Sequence, residues 1–127
     1  MPTIWNITER TEGNATILQA SVRGLSVERP PDDHRLLASI NDHVRDGYST
    51  ILINLRDAHY MDSEGLGEIV RGFTLAHGAG GSLAICELVP KVRDLFKITG
   101  LDAQVPIFQT EREGLQALRQ GAPISPS

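Results

Sequence analysis

A chain of 127 residues is one domain's worth, long enough to bury about two-thirds of its unfolded surface and hold a core without disulfide or metal staples. Apolar residues at 40% and charged residues at 22% exclude a disordered chain, and no apolar run approaches the roughly 20 residues that cross a bilayer, so no membrane partner is expected. Sixteen acids against twelve bases give a net charge of -4 with no Lys/Arg cluster, which leaves nucleic acid nothing to grip.

The one cysteine, Cys86, cannot form an internal disulfide, and the N-terminus lacks the basic start and apolar core of a signal peptide. The expected location is the cytoplasm. Ile4 to Thr8 and Ala15 to Val22 are rich in Ile, Thr, Val and Trp and are predicted as strands; the six residues 9–14 between them are too few for a parallel crossover, so the pair is an antiparallel hairpin. A polar stretch with Pro30 and Pro31 follows, and Asp32 and Asp33 stand where acids favour a helix start. Leu36, Leu37, Ile40 and Val44 give the first helix its apolar spacing, with Gly47 as its stop. Ser49 to Leu55 is a nearly unbroken branched apolar run, the pattern of a central strand covered on both faces.

Leu66, Ile69, Val70 and Phe73 set a second amphipathic helix, ended by Gly78, Gly80 and Gly81. Ser82 to Glu87 is a second buried strand, and Val89, Val92, Leu95 and Phe96 mark a third helix closed by Gly100. Gln104 to Phe108 is the last strand, and Thr110 with Glu113 three residues on is a capping-box start for the helix carrying Leu115 and Leu118. The order predicts an α/β fold: a mixed, mainly parallel sheet opened by a hairpin, with four helices, over 1–120, and a frayed Pro/Ser-rich tail at 121–127.

Ligands and partners of open α/β sheets sit beyond the carboxyl ends of the strands, which points to Arg56 to Gly67 after the central strand. There Ser63 falls at or just before the first turn of the second helix, where amides are unpaired and the helix dipole favours negative charge. Simple capping by Asp62 or Ser63, with Glu64 complementing the dipole, accounts for part of this pattern. It does not account for Gly65 and Gly67, each costing up to about 1 kcal/mol against alanine inside a helix.

Tyr60-Met61-Asp62-Ser63-Glu64-Gly65-Leu66-Gly67 resembles the signature of STAS domains of the anti-sigma factor antagonist type, an aromatic or apolar pair followed by Asp-Ser-Ser/Thr-Gly-Leu-Gly. Leu95-Phe96-Lys97-Ile98-Thr99-Gly100-Leu101-Asp102 is similar to the family's Leu-Thr-Gly-Leu-Asp segment, and the likeness runs from the hairpin to Leu118. The resemblance implies a non-enzymatic, cofactor-free switch. In the antagonists the serine after the aspartate, here Ser63, is phosphorylated by an anti-sigma factor with serine kinase activity and restored by a serine phosphatase; the unphosphorylated form binds the anti-sigma factor and releases sigma. It implies partner contacts at Tyr60, Asp62, Ser63, Glu64, Gly65 and Gly67, with Asp62 ordering the first turn and Leu66 fastening the helix. Glu64 stands where the family generally has a second Ser or Thr, and 24–33 departs from the family's shorter entry into helix one. The alternative within the fold is a non-switching scaffold of a signalling complex or a lipid-transport subunit, with Ser63 only a cap.

Other constellations are weaker. Asp57 after a buried strand suggests an aspartyl-phosphate receiver, but the acid pair that would hold magnesium and the lysine after the last strand are missing from the sequence. Gly65-x-Gly67 lacks the third glycine of a dinucleotide fingerprint, Val70 standing there, and no P-loop Gly-Lys-Ser/Thr exists. Asp32, Asp33 and His34 read as helix-start residues before they read as metal ligands, and His59 lacks the orienting acid of a hydrolase triad. Cys86 reads as a small core residue, and Trp5 and Tyr60 as candidate interface anchors.

Overall fold

The computed structural model describes the backbone of residues 3–25 and 36–119 and the side chains of 6–21 and 36–119. Strands β1 (Thr3–Glu12) and β2 (Ala15–Leu25) pair antiparallel, from Glu12 opposite Ala15 to Thr3 opposite Leu25. The predicted six-residue loop is a turn of only Gly13 and Asn14: Gly13 takes φ 60°, and a two-residue turn of this hand lets the ladder continue through the polar residues 9–12. Their polarity reads as loop in the sequence, yet an edge strand tolerates it because one side meets water.

Helix α1 (Leu36–Arg45) leads into β3 (Thr50–Asn54), α2 (Ser63–Gly78) into β4 (Ser82–Cys86), and α3 (Pro90–Ile98) into β5 (Ile107–Phe108), followed by α4 (Glu111–Arg119). The sheet order is β1-β2-β3-β4-β5, parallel from β2 onward. The last strand is shorter than predicted. Gln104 to Pro106 lie outside the strand: they follow a 3₁₀ turn at Leu101–Ala103, and buried Val105 and Pro106 carry the chain to two paired residues. No acid lies in the first turn of α1, and Asp32, Asp33, His34 and the tail 121–127 lie outside the described residues.

Period-two alternation divides the core. Leu18, Ala20, Ile51, Ile53, Leu83 and Ile85 face α1, α2 and α3, where Ile40, Ile69, Val92 and Phe96 are buried. Ala15, Ile17, Leu52, Ala84 and Cys86 face α4 through Leu115 and Leu118. The central strands are thus covered on both sides, which explains their continuous apolar sequence. Two glycines set close approaches: a Cβ on Gly81 would lie 2.1 Å from the Ser49 carbonyl oxygen, and one on Gly72 would lie 2.5 Å from Ile40 Cδ1. The second lets α1 settle directly on α2.

Candidate functional site

Beyond β3 the chain crosses to α2 over residues 55–62 and is fixed at both ends. Asn54, fully buried at the end of an apolar strand, accepts the Arg56 N–H at 2.9 Å and donates from Nδ2 to Glu111 Oε1 at 3.2 Å. Leu55 N–H donates to the Cys86 carbonyl, and Gln19 Nε2 donates to Asp57 Oδ2 at 3.1 Å. Leu55, Ala58 and Met61 turn inward, while Arg56, Asp57, His59 and Tyr60 stay exposed. Asp57 is therefore a tether between the loop and β2.

The chain then enters α2 under the control of Asp62. Its backbone is extended (φ -106°, ψ 179°), and its Oδ1 accepts the Gly65 N–H at 2.8 Å, so Asp62 is the N-cap. Ser63 is the first helical residue and is exposed, and no hydrogen bond engages its hydroxyl among the described residues. The sequence leaves open which of the two caps; the structure gives the task to Asp62. Glu64, half-buried, is the acid of the first turn. A side-chain oxygen on Ser63 thus meets solvent at the electropositive end of a sixteen-residue helix.

Gly65 and Leu66 are buried, Leu66 within the core beside the sheet. Gly67 is half-exposed, and a Cβ there would meet only Arg71, whose Nη2 would lie 3.2 Å away. Internal packing does not require a glycine at 67; the bare backbone is left to the surface. Tyr60, 43% exposed, stands at the same rim. The structure therefore brings Tyr60, Asp62, Ser63, Glu64 and Gly67 to one surface and turns Gly65 inward, while the Trp5 side chain lies outside the described set. No helix of the described residues is long and apolar enough to cross a membrane.

Residues 32–114 match the STAS domain family. The chain belongs to this family. Among its STAS relatives, the anti-sigma-B factor antagonist of Bacillus subtilis (strain 168) is 31% identical over 112 residues, covering 87% of this chain and 99% of that protein. The anti-sigma F factor antagonist of Paenibacillus polymyxa is 35% identical over 68 residues, 54% of this chain; the match spans 58% of that relative's length. The crystal structure of an anti-sigma factor antagonist from Mycobacterium paratuberculosis has the same fold, with a TM-score of 0.75 at 21% identity over 91% of this chain and 94% of that one.

Sequence reasoning missed two groups in this STAS domain. Glu68 is 4% exposed on α2 and accepts the Leu37 N–H of α1 at 3.0 Å. Glu87, at φ 62°, accepts the Glu111 N–H at 2.9 Å and so caps α4 from the end of β4. Glu111 in turn pairs with Arg10. Asn54, a polar residue ending an apolar run, is the one sequence sign of these links; Glu68 lies off the stripe of Leu66, Ile69, Val70 and Phe73. The Cys86 thiol lies under this cluster, its pKa pushed up to about 12 by burial, with Glu111 and Glu87 adding to the effect and Arg56 and Arg10 opposing it. It is a core group with no nucleophilic character at neutral pH.

Proposed function

We propose that this STAS domain is an anti-sigma factor antagonist switched by phosphorylation of Ser63. The observation that carries the reading is the division of labour at the start of α2: Asp62 supplies the cap, which leaves the Ser63 hydroxyl exposed and free of any structural duty among the described residues. A serine that served only as a cap, as in a passive scaffold, would be turned onto the helix amides. The names of the relatives from Bacillus subtilis and Paenibacillus polymyxa support an anti-sigma factor as the partner class.

The unphosphorylated domain presents the uncharged Ser63 hydroxyl, with Tyr60 and Gly67 beside it, to an anti-sigma factor with serine kinase activity, and binding there releases the sigma factor. Transfer of phosphate to Ser63 Oγ adds about -1.5 to -2 charges beside Asp62 and Glu64. The helix tolerates this charge at its positive end, whereas a partner surface shaped for a hydroxyl must desolvate it without a matching cation. The complex dissociates, and a serine phosphatase restores the binding form. Ser63 Oγ is the acceptor: it takes the γ-phosphoryl group of ATP bound in the kinase, ADP leaves, and the hydroxyl proton passes to the kinase or to solvent; no residue of this chain acts as a catalyst.

The test is incubation with the histidine-kinase-like ATPase encoded nearest this chain's gene, with ATP and magnesium, followed by peptide mass analysis. The expected result is a single phosphate on the peptide carrying Ser63, none in Ser63→Ala, and loss of kinase binding in Ser63→Asp. An unmodified Ser63, with Ser63→Asp binding as the parent does, would return the domain to the scaffold reading.

A further inference from the structure

Helix α1 begins Leu36-Leu37-Ala38-Ser39 and carries no acid in its first turn to satisfy the free amides and complement the dipole. Among the described residues, another helix supplies an acceptor there. Glu68 of α2 is buried at 4% exposure, and its Oε1 accepts the N–H of Leu37, the second residue of α1, at 3.0 Å. Four residues on, on the same side of α2, Gly72 leaves the space that Ile40 fills, with Cδ1 2.5 Å from where a Cβ would stand. One face of α2 thus provides both the acceptor for the start of α1 and the gap for its next turn.

We infer that Glu68 is a positioning residue of the switch: it caps α1 in trans and ties the start of α1 to the helix that carries Ser63. α1 is thereby held on the helix whose start would meet the partner. Glu68 is too buried to touch the partner itself, so it acts through α1. The inference rests on the reading of Ser63 as the regulated group, but its first test does not.

Amide hydrogen exchange needs no partner. In Glu68→Leu, which keeps the volume and removes the acceptor, exchange at Leu37 is expected to accelerate by about tenfold or more, as befits loss of a charge-assisted hydrogen bond, while amides at 63–66 change little. Glu68→Gln keeps an acceptor oxygen and is expected to restore most of the protection, and it serves as the folded comparison should Glu68→Leu fail to fold. Equal exchange at Leu37 in parent and Glu68→Leu, or equal damage from Gln and Leu, overturns the cap. With the kinase used above as probe, Glu68→Leu is expected to raise KM for Ser63 phosphorylation several-fold at unchanged kcat, rescued by Glu68→Gln; an unchanged KM beside a released Leu37 amide overturns the positioning role. A parent protein that the kinase ignores sinks the Ser63 reading and leaves the exchange result to decide the cap.

Discussion

Replacing Asp62 with alanine removes the side chain that orders the first turn of α2. Its Oδ1 holds the Gly65 N–H at 2.8 Å, and Gly65 is buried, so the freed amide finds water only if the turn opens. An N-cap aspartate replaced by alanine costs about 1 kcal/mol, within a range of roughly 0.5–2. The burial of Gly65 places this site in the upper half of that range, because an unpaired buried donor adds its own desolvation cost. For a domain of this size each kcal/mol lowers Tm by about 4 °C, so Asp62→Ala is expected to melt about 5–8 °C below the parent. Asp62→Asn keeps an acceptor for the Gly65 N–H and gives up the charge–dipole attraction, about 0.3–1 kcal/mol. Urea unfolding with a common m-value, thermal melts, and amide exchange at 64–66 check the ranking parent, Asn, Ala. Equal Tm values for parent and Asp62→Ala, with unchanged exchange at Gly65, would refute Asp62 as the group that holds this turn and with it the argument that Ser63 is spared for regulation.

Three further outcomes follow from the same geometry. Gly81→Ala drives a methyl group against the Ser49 carbonyl oxygen, which also accepts the Ser82 N–H at 3.0 Å, and is expected to cost about 3 kcal/mol; Gly78→Ala, with open space around its Cβ at a helix end, is expected to be neutral or to gain up to about 1 kcal/mol, and paired thermal melts that fail to separate the two reject the packing account. Asn54→Ala leaves the part-buried Arg56 N–H without its acceptor and takes away one of the donors to Glu111, which keeps Arg10, for an expected loss of about 2 kcal/mol by urea unfolding; a loss below about 0.5 kcal/mol contradicts it. Cys86 should resist iodoacetamide in the native protein at pH 8 and react once unfolded. Since its folded pKa lies above the ordinary thiol value of 9.0, the unfolded chain releases this proton first, so the Cys86 contribution is fully present below about pH 9 and is lost as pH rises toward 12, at up to about 1.4 kcal/mol per pH unit; a Cys86→Ala variant with the same alkaline slope contradicts this.

Local rules carried the reading a long way. The spacing of Leu66, Ile69 and Phe73 marked a helix, the run Ile51-Leu52-Ile53 marked a doubly covered strand, and Thr110 with Glu113 marked the start of α4, where Thr110 Oγ1 does accept the Glu113 N–H at 3.1 Å. These are properties of neighbours in the chain, so the side-chain pattern contains them. The position of Ser63 at a helix start and the STAS signature around it were legible for the same reason. The hairpin and β5 were misjudged in extent because polar residues on an edge strand read as loop, and the buried Val105-Pro106 pair ahead of β5 reads as strand.

What only the tertiary structure decided is who partners whom. Asp62 and Ser63 are both competent caps, and the extended backbone at Asp62 chose between them. Glu68 and Glu87 read as ordinary surface acids until the packing of α2 on α1 and of α4 on the sheet brought foreign helix starts to their carboxylates. A buried amide takes its acceptor from whatever the fold sets within about 3 Å, and distance in space between separate elements is not encoded in the spacing along any one of them.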